Sequence, residues 1–210
     1  MMKLGFIGIG KVGFSIADRL QKIGHEIIVG SADAGSKSLK SALNQNPAFK
    51  TAGVQQMVEQ SDLIFLATPF GVNQSILKNI SFNGKTLVDC TNPVGPGITH
   101  GLKSEKSGAE AIQDWAPDAK VVKAFTIYGY ENLADNAFPA YNVKPVMLIA
   151  GNEARAKNEV SNLLVELGFF PKDTGMLSQS LHLEHMTLLW VKMVRMNGHH
   201  PHFVWAYLEK

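Results

Sequence analysis

Three glycines near the amino terminus have a spacing that suits contact with phosphate groups. Gly8 lies near the end of a buried-strand pattern at Lys3–Ile9, and Gly10 and Gly13 lie at the start of a segment whose apolar residues recur at helical spacing up to Ile23. In a strand–turn–helix unit, the first glycine permits a tight turn, the second lets the backbone approach a pyrophosphate, and the third lets the helix lie close to the sheet. The N–H groups at the start of the helix then face the phosphates. The spacing predicts a dinucleotide site; the alternative is that the glycines only permit close packing.

The end of the second predicted strand indicates which dinucleotide is bound. A carboxylate there would accept hydrogen bonds from the ribose 2′-hydroxyl of NAD. The chain instead has Gly30 and Ser31 after Glu26–Val29, and Ser31 can donate to a phosphate, with Lys37 nearby. Asp33 would repel a phosphate if it pointed inward. The pattern favours NADP, with NAD as the alternative.

Composition and charge exclude several other classes of protein. The chain has 210 residues, 45% hydrophobic and 18% charged, which suits one sizeable core with a small appendage. Twenty basic and 18 acidic residues give a net charge of +2, too balanced for a nucleic-acid-binding surface. No apolar run approaches the roughly 18 residues of a membrane span, and no signal peptide is evident. A single cysteine, Cys90, excludes an internal disulfide and favours a cytoplasmic location.

Predicted strands and helices alternate along most of the chain. Continuous apolar strands, each followed by a helix, predict an α/β Rossmann-type, doubly wound and mostly parallel sheet with a small C-terminal helical part. We expect a dinucleotide-binding domain over residues 1–150 and a small part over 151–210, packed on the first, with a long final helix near Ser180–Met196. Residues 129–144 are predicted as a surface loop or subunit contact. Ligands of such sheets bind beyond the carboxyl ends of the strands.

Several stretches carry a resemblance to a known family. GFIGIGKVG, GHEIIVGS, LATPF, DCTNPVGP and SGAEAIQDWAPDAKVVKAF, with the tail LSQSLHLEHMTLLWVKMVRMNG, resemble the deazaflavin (coenzyme F420)-dependent NADP oxidoreductases and their bacterial relatives. The resemblance extends more loosely to the N-terminal domain of membrane ferric reductases and to pyrroline-carboxylate reductases. It implies a Rossmann domain with a small C-terminal part, NADP as cofactor, and a homodimer.

The resemblance also implies roles for individual residues. Ser31 matches a position that touches the 2′-phosphate; Ala32 replaces the arginine that usually follows it, so that Ser36 or Lys37 would substitute. Thr126 matches a polar position near the nicotinamide, and the last helix would add His185 and Thr187 to the pocket. The residues implied to bind the cofactor are Gly8, Ile9, Gly10, Lys11, Val12, Gly13, Ser31, Ala32, Ser36, Lys37, Ala67, Thr68, Pro69, Asn92 and Pro93.

Hydride transfer between a nicotinamide and a flavin-like ring requires few catalytic side chains, because the two rings carry the reaction. We expect no catalytic triad, with Thr126 near the nicotinamide and His185 as the acid–base candidate; its alternative is a partly buried histidine satisfied by a neighbour. Phe70, Phe125 and Tyr128 could stack a flat ring. The histidines near the carboxyl terminus lack a convergent third ligand, so no metal site is predicted.

The sequence therefore predicts a cytoplasmic, homodimeric NADP-dependent oxidoreductase whose acceptor is a flat ring such as a deazaflavin or flavin. Two alternatives remain open: a reductase of another acceptor, such as a ferric chelate or an imine, and a non-enzymatic NADP-binding sensor. A helical stripe in the last helix is predicted to lie in the core or in the dimer interface. It consists of Met186, Leu189, Met193 and Met196.

Overall fold

The computed structural model describes residues 1–31, 33 and 35–210, and within them eight strands form one twisted sheet. Its strand order is β10-β9-β8-β5-β4-β1-β2-β3. The strands are β1 (Lys3–Ile7), β2 (Glu26–Gly30), β3 (Lys50–Ala52), β4 (Leu63–Leu66), β5 (Thr86–Asp89), β8 (Lys120–Lys123), β9 (Val146–Gly151) and β10 (Phe170–Asp173). A separate antiparallel hairpin is formed by β6 (Val94–Gly95) and β7 (Thr99–His100).

Helices cover both faces of the sheet. They are α1 (Lys11–Lys22), α2 (Lys37–Gln45), α3 (Val54–Gln60), α4 (Asn73–Leu77), α5 (Gly108–Trp115), α6 (Tyr130–Ala134), α7 (Ala154–Glu166) and α8 (Ser180–Arg195). Two buried clusters of apolar side chains fill the space between helices and sheet, one on each side. In the first cluster the rings of Phe6 and Phe65 stack at 4.6 Å between neighbouring strands. The predicted Rossmann-type α/β fold with a C-terminal helix is confirmed.

The last two strands of the sheet run opposite to the others. Six strands, from β8 to β3, pair in parallel, whereas β9 pairs antiparallel with β8 and parallel with β10. The expected boundary after residue 150 falls inside β9. β10 extends the same sheet, and α7 packs against β9 and β10. The division into two parts therefore stays a prediction.

The segment 129–144, which was predicted as a loop, and the segment after β5 both contain regular structure. Part of the segment 129–144 forms α6, which packs against α1, and Arg19 holds the end of this region through hydrogen bonds to the Leu133 carbonyl and the Asn136 side chain. The segment after β5 folds back as the β6–β7 hairpin. Both elements are too short for a pattern of apolar residues to reveal them.

Candidate functional site

The glycine loop between β1 and α1 has the geometry of a phosphate cradle. Gly8 has φ +94°, a conformation that favours glycine, and a Cβ atom there would lie 2.7 Å from the Ala67 backbone. A Cβ atom on Gly13 would overlap the Gly8 carbonyl oxygen. At Gly10 a Cβ atom would meet nothing within 4 Å. Two glycines are thus required by packing, and the third leaves open space at the start of α1.

The start of α1 is available to an anion. Gly10 is the exposed residue that precedes the helix, it provides no side-chain cap, and the first turn contains no acidic residue. The 12-residue helix points its positive end at the space in front of Gly10. Lys11 lies at the edge of this space, 4.7 Å from the centre of the Tyr130 ring. This arrangement fits a pyrophosphate.

A cavity of about 450 Å³ opens beside the loop, between the ends of β1, β2 and β4. Its size and its mixed apolar and polar lining suit a nucleoside. The lining includes Gly8, Gly30, Ser31, Val54, Thr68 and Ile76. The glycine loop and the end of β2, which the sequence predicts to bind the same dinucleotide, both line this cavity.

Residues after β2 are arranged by local turns. The Ser31 hydroxyl donates to the Asp33 carbonyl at 2.8 Å, and the Asp33 carboxylate accepts the Gly35 N–H at 2.7 Å. Ser36 caps α2, accepting the N–H of Leu39 at 3.3 Å. Lys37, the first residue of α2, is exposed. Ala32 lies outside the described residues.

The loops after β4, β5 and β8 meet at the same edge of the sheet. Ala67 and Thr68 are half-buried, Pro69 is exposed, and Pro93 is buried. Both the Asn92 Oδ1 atom and the Thr126 Oγ1 atom are buried without a hydrogen-bond partner among the described residues. Unpaired buried polar atoms are uncommon and call for a physical reason.

Backbone strain surrounds Thr126. Phe125 has φ +57° and Ile127 has φ +64°, although neither is a glycine. For a β-branched residue such as Ile127 this conformation is a genuine outlier. The Ile127 N–H donates to the Thr187 hydroxyl of α8 at 3.1 Å, which helps to hold the turn. Strained turns of this kind concentrate at functional sites.

A buried ionic cluster lies directly beneath these loops. The Lys123 ammonium, at the end of β8, lies 2.9 Å from the Asp89 carboxylate of β5 and 2.9 Å from the Glu184 carboxylate of α8. All three side chains are at most 1% exposed. Glu184 also accepts hydrogen bonds from the Gly108 N–H of α5 and from His100 Nε2. Sequence reasoning missed this cluster.

The ionisation of the cluster follows from its contacts. Burial lowers the pKa of Lys123, but Asp89 and Glu184 outweigh burial and raise it. Burial raises the pKa of Glu184, but Lys123, the Gly108 N–H and His100 together outweigh burial and lower it. Burial dominates at Asp89, whose pKa is raised despite Lys123. Lys123 and Glu184 are therefore a charged pair.

His100 is neutral in this arrangement. Its Nδ1 atom accepts the N–H groups of Leu102 and Ser104 at 3.3 and 3.2 Å, so the proton is on Nε2 and is donated to Glu184. The cluster thus contains one cation and two carboxylates. Glu184, the carboxylate of the charged pair, faces the start of α5, where the helix dipole is positive.

The two polar residues predicted on the last helix lie in different places. Thr187 is buried against the turn around Thr126, as described above. His185 is exposed, and its Nε2 atom lies 2.9 Å from the Ser104 hydroxyl after the hairpin. The assignment of His185 as an acid–base group stays a prediction, and Ser104 provides the neighbour that the alternative interpretation requires.

The remaining candidates have simpler roles. Phe125 and Tyr128 are buried, so the predicted stacking faces are not presented to solvent; Phe70 is half-buried against Trp115. Burial and Asp89 raise the pKa of the Cys90 thiol well above its ordinary value, which makes it a poor nucleophile. Among the described residues, no three His, Cys, Asp or Glu side chains form a potential metal site. Across the same residues, no helix combines the length and apolar character needed to cross a bilayer.

Comparison with known proteins shows that the chain is similar to NADP-linked reductases. Residues 3–93 match the family described as NADP oxidoreductase, coenzyme F420-dependent. The chain is 26% identical to the F420-dependent NADP reductase of Methanothermobacter marburgensis over 209 residues, covering 91% of this chain and 92% of that protein. It is 29% identical to Metalloreductase STEAP3 of Rattus norvegicus over 188 residues, which is 89% of this chain but only 36% of that protein.

A solved structure agrees over the full length. The crystal structure of a protein from Arthrobacter sp. FB24, described as a candidate F420-dependent NADP reductase, superimposes with a TM-score of 0.84, covering 100% of both chains at 26% identity. The resemblance expected from the sequence is therefore confirmed: the chain is similar to the coenzyme F420-dependent NADP oxidoreductases, and residues 3–93 match the family model.

Proposed function

We propose that this protein is an NADP-dependent oxidoreductase that transfers a hydride between the nicotinamide and a flat ring acceptor such as a deazaflavin or flavin. The observation that carries this proposal is the glycine loop, in which Gly8 and Gly13 are needed for packing while Gly10 leaves open space at the positive end of α1. That combination fits a pyrophosphate. The names of the relatives support the choice of NADP and of the acceptor class.

The path of the dinucleotide follows from the same geometry. The adenosine half would occupy the cavity between Gly30 and Thr68, with Ser31 and Lys37 near its 2′-phosphate. The nicotinamide half would extend along the loops after β5 and β8, where Asn92 Oδ1 and Thr126 Oγ1 are candidates to bind its carboxamide after a small opening of the strained turn. The bound nicotinamide supplies the hydride, and a proton from solvent or a side chain completes reduction of the acceptor.

A titration with NADPH and NADH, followed by tryptophan fluorescence or calorimetry, tests the cofactor assignment. Charge-assisted hydrogen bonds are worth roughly 1.5–3 kcal/mol each, so one or two contacts to the 2′-phosphate should favour NADPH by at least about tenfold. Ser31→Ala should reduce this preference, whereas Ser75→Ala, a control elsewhere along the same cavity, should not. Equal binding of NADPH and NADH by the unmodified protein would contradict the assignment of NADP.

An acceptor panel tests the reaction. We expect oxidation of NADPH with coenzyme F420 or FMN, and no comparable rate with ferric citrate or a cyclic imine. Turnover with the chelate or the imine alone would favour the corresponding reductase. Tight NADPH binding with no turnover across the panel would favour a sensor.

We also propose that the protein is a cytoplasmic homodimer that uses α8. Leu189 and Met196 lie exposed on the predicted stripe, with Met186 and Met193 half-buried beside them. A stripe of this kind is typical of a subunit contact. Cell fractionation tests the compartment.

A further inference from the structure

A continuous network of hydrogen-bonded polar side chains connects the loop after β4 to β5, in the middle of the sheet. The Thr68 hydroxyl, after β4, donates to the Asn73 side-chain oxygen at 2.6 Å. The Asn73 amide donates to the Thr91 hydroxyl at 3.4 Å, and that hydroxyl donates to the Asp89 carboxylate at 2.7 Å. Asn73, Thr91 and Asp89 are buried. The loops after β4 and β5 are thereby joined.

The network of polar side chains continues through the ionic cluster to the last helix, α8. Asp89 and Lys123 are register partners on β5 and β8, and their side chains meet at 2.9 Å. Lys123 also donates to the Thr91 carbonyl at 2.5 Å and contacts Glu184 of α8. Lys123 is separated by only two residues from Thr126. The network therefore joins the loops after β4 and β5 to the end of β8 and to α8, and α8 in turn holds the loop after β8 through the Thr187 hydroxyl.

Burying these charges is costly, so their placement is informative. A buried ion pair is often no more stabilising than apolar side chains of similar volume, and such pairs can instead specify one arrangement of the surrounding elements. This cluster lies immediately beneath the loops along which the nicotinamide would extend. Directional bonds to the loops after β4 and β5, and to α8, which binds the loop after β8 through Thr187, restrict the relative positions of these loops more tightly than apolar packing does.

We propose that Thr91, Lys123 and Glu184 are positioning residues that hold the loops after β4, β5 and β8 in the geometry that orients a bound nicotinamide ring. This inference rests on the proposed function. The effect is expected on the orientation of the ring rather than on affinity, because the pyrophosphate and adenosine contacts lie elsewhere. Near-attack geometry is sensitive to displacements of about 1 Å, which can reduce a rate by roughly a hundredfold.

Two variants interrupt the network of polar side chains at different places. Thr91→Val removes the hydroxyl that joins Asn73 to Asp89 while keeping the shape of the side chain and every charge of the cluster. Glu184→Gln places an amide group among donors and breaks part of the contact with Lys123 or His100. Lys85→Met is the matched control, because Lys85 donates to the carbonyls of Val58, Glu59 and Ser61 at the opposite edge of the sheet. It removes three hydrogen bonds, two of them partly buried, without touching the network of polar side chains.

The measurement uses the full-length protein and NADPH itself. At saturating protein, the anisotropy of nicotinamide fluorescence reports how firmly the ring is held, independently of any acceptor. We expect Thr91→Val and Glu184→Gln to lower this anisotropy while the dissociation constant for NADPH changes by less than about threefold. Lys85→Met should lose thermal stability and keep the anisotropy of the unmodified protein. With an active acceptor, the two variants should lose at least about tenfold in kcat with little change in KM.

The outcomes separate the two proposals. Failure of the unmodified protein to bind NADPH would overturn the proposed function and this inference with it. Normal NADPH binding with unchanged anisotropy in both variants would overturn the inference alone. An equal loss of anisotropy in Lys85→Met would also overturn it, because the effect would then reflect general loosening of the fold.

Discussion

At the scale of single residues, the glycines of the first turn have different physical roles. Gly8 and Gly13 are required where backbone groups approach closely, whereas Gly10 faces open space. The motif therefore contains two positions that packing requires and one position that leaves room for the proposed pyrophosphate. Substitution by alanine should separate these two roles.

We expect Gly10→Ala to weaken NADPH binding by at least about tenfold with little change in Tm, because its methyl group would occupy the space of the pyrophosphate. Gly13→Ala should instead destabilise the fold by about 1–3 kcal/mol, since its Cβ atom would overlap the Gly8 carbonyl. Titration and thermal unfolding measure the two effects. Gly71→Ala, where a Cβ atom also meets nothing within 4 Å, is the control for Gly10→Ala. Normal NADPH binding by Gly10→Ala would contradict the assigned role.

Single-residue features differ in how far they can be read from sequence. The glycine loop is predictable because its function depends on spacing within a few residues. The ionic cluster is not, because Asp89, Lys123 and Glu184 are far apart in the chain and become neighbours only through strand order and helix packing. The local signal was Lys123 itself, a lysine within the otherwise apolar run VVKAF. Thr126 was identified by resemblance, and its burial between two strained residues became evident only in three dimensions.

At the scale of elements, the buried cluster joins β5, β8, α5, α8 and the hairpin. Lys123 is the cation between two carboxylates, so removing different members has unequal consequences. Lys123→Met would leave two carboxylates in the interior without a cation. Glu184→Gln would leave Lys123 in contact with Asp89.

We therefore expect Lys123→Met to be the more damaging substitution. Loss of one partner from a buried ion pair typically costs about 3–5 kcal/mol, whereas Glu184→Gln should cost about 1–3 kcal/mol through imperfect hydrogen bonding. Urea unfolding at neutral pH, with the m-value checked for each variant, measures the difference. Equal destabilisation by the two substitutions would contradict the charge assignment.

The same cluster predicts how the loss of folding stability in Glu184→Gln depends on pH. The pKa of Glu184 is lowered in the folded state, so the stability it contributes is present above its unfolded pKa and is lost as the pH falls through the folded value. The difference in stability between the unmodified protein and Glu184→Gln should therefore hold from neutral pH to about pH 5 and narrow as the pH falls from there to about pH 3. A constant difference across this range would mean that Glu184 is not charged in the folded protein.

At the scale of the whole molecule, the alternation of strands and helices was sufficient to predict the parallel part of the sheet. It did not predict that β9 and β10 run in the opposite direction, because an apolar strand has the same pattern in either direction. The direction of β9 follows from the path of residues 124–145, which leave β8 and enter β9 at the same edge of the sheet, with α6 between the two strands. The tail then packs beside β9, where the Val146 N–H donates to the Trp205 carbonyl at 2.9 Å. Contacts of this kind depend on the completed fold.

The exposed stripe on α8 leads to a prediction about assembly. Leu189 is 49% exposed and lies on the side of α8 away from Glu184 and Thr187, which face the interior. If this face is a subunit contact, the unmodified protein should be a dimer at micromolar concentration by light scattering, and Leu189→Glu should shift it to a monomer. Val165→Glu is the matched control, because Val165 is 52% exposed on another helix, α7, and should leave the dimer intact. A monomeric unmodified protein, or equal dissociation of the dimer in the two variants, would show that this face of α8 is not the subunit contact. Closure of the site over a bound acceptor would then be the explanation for the exposed apolar residues of α8.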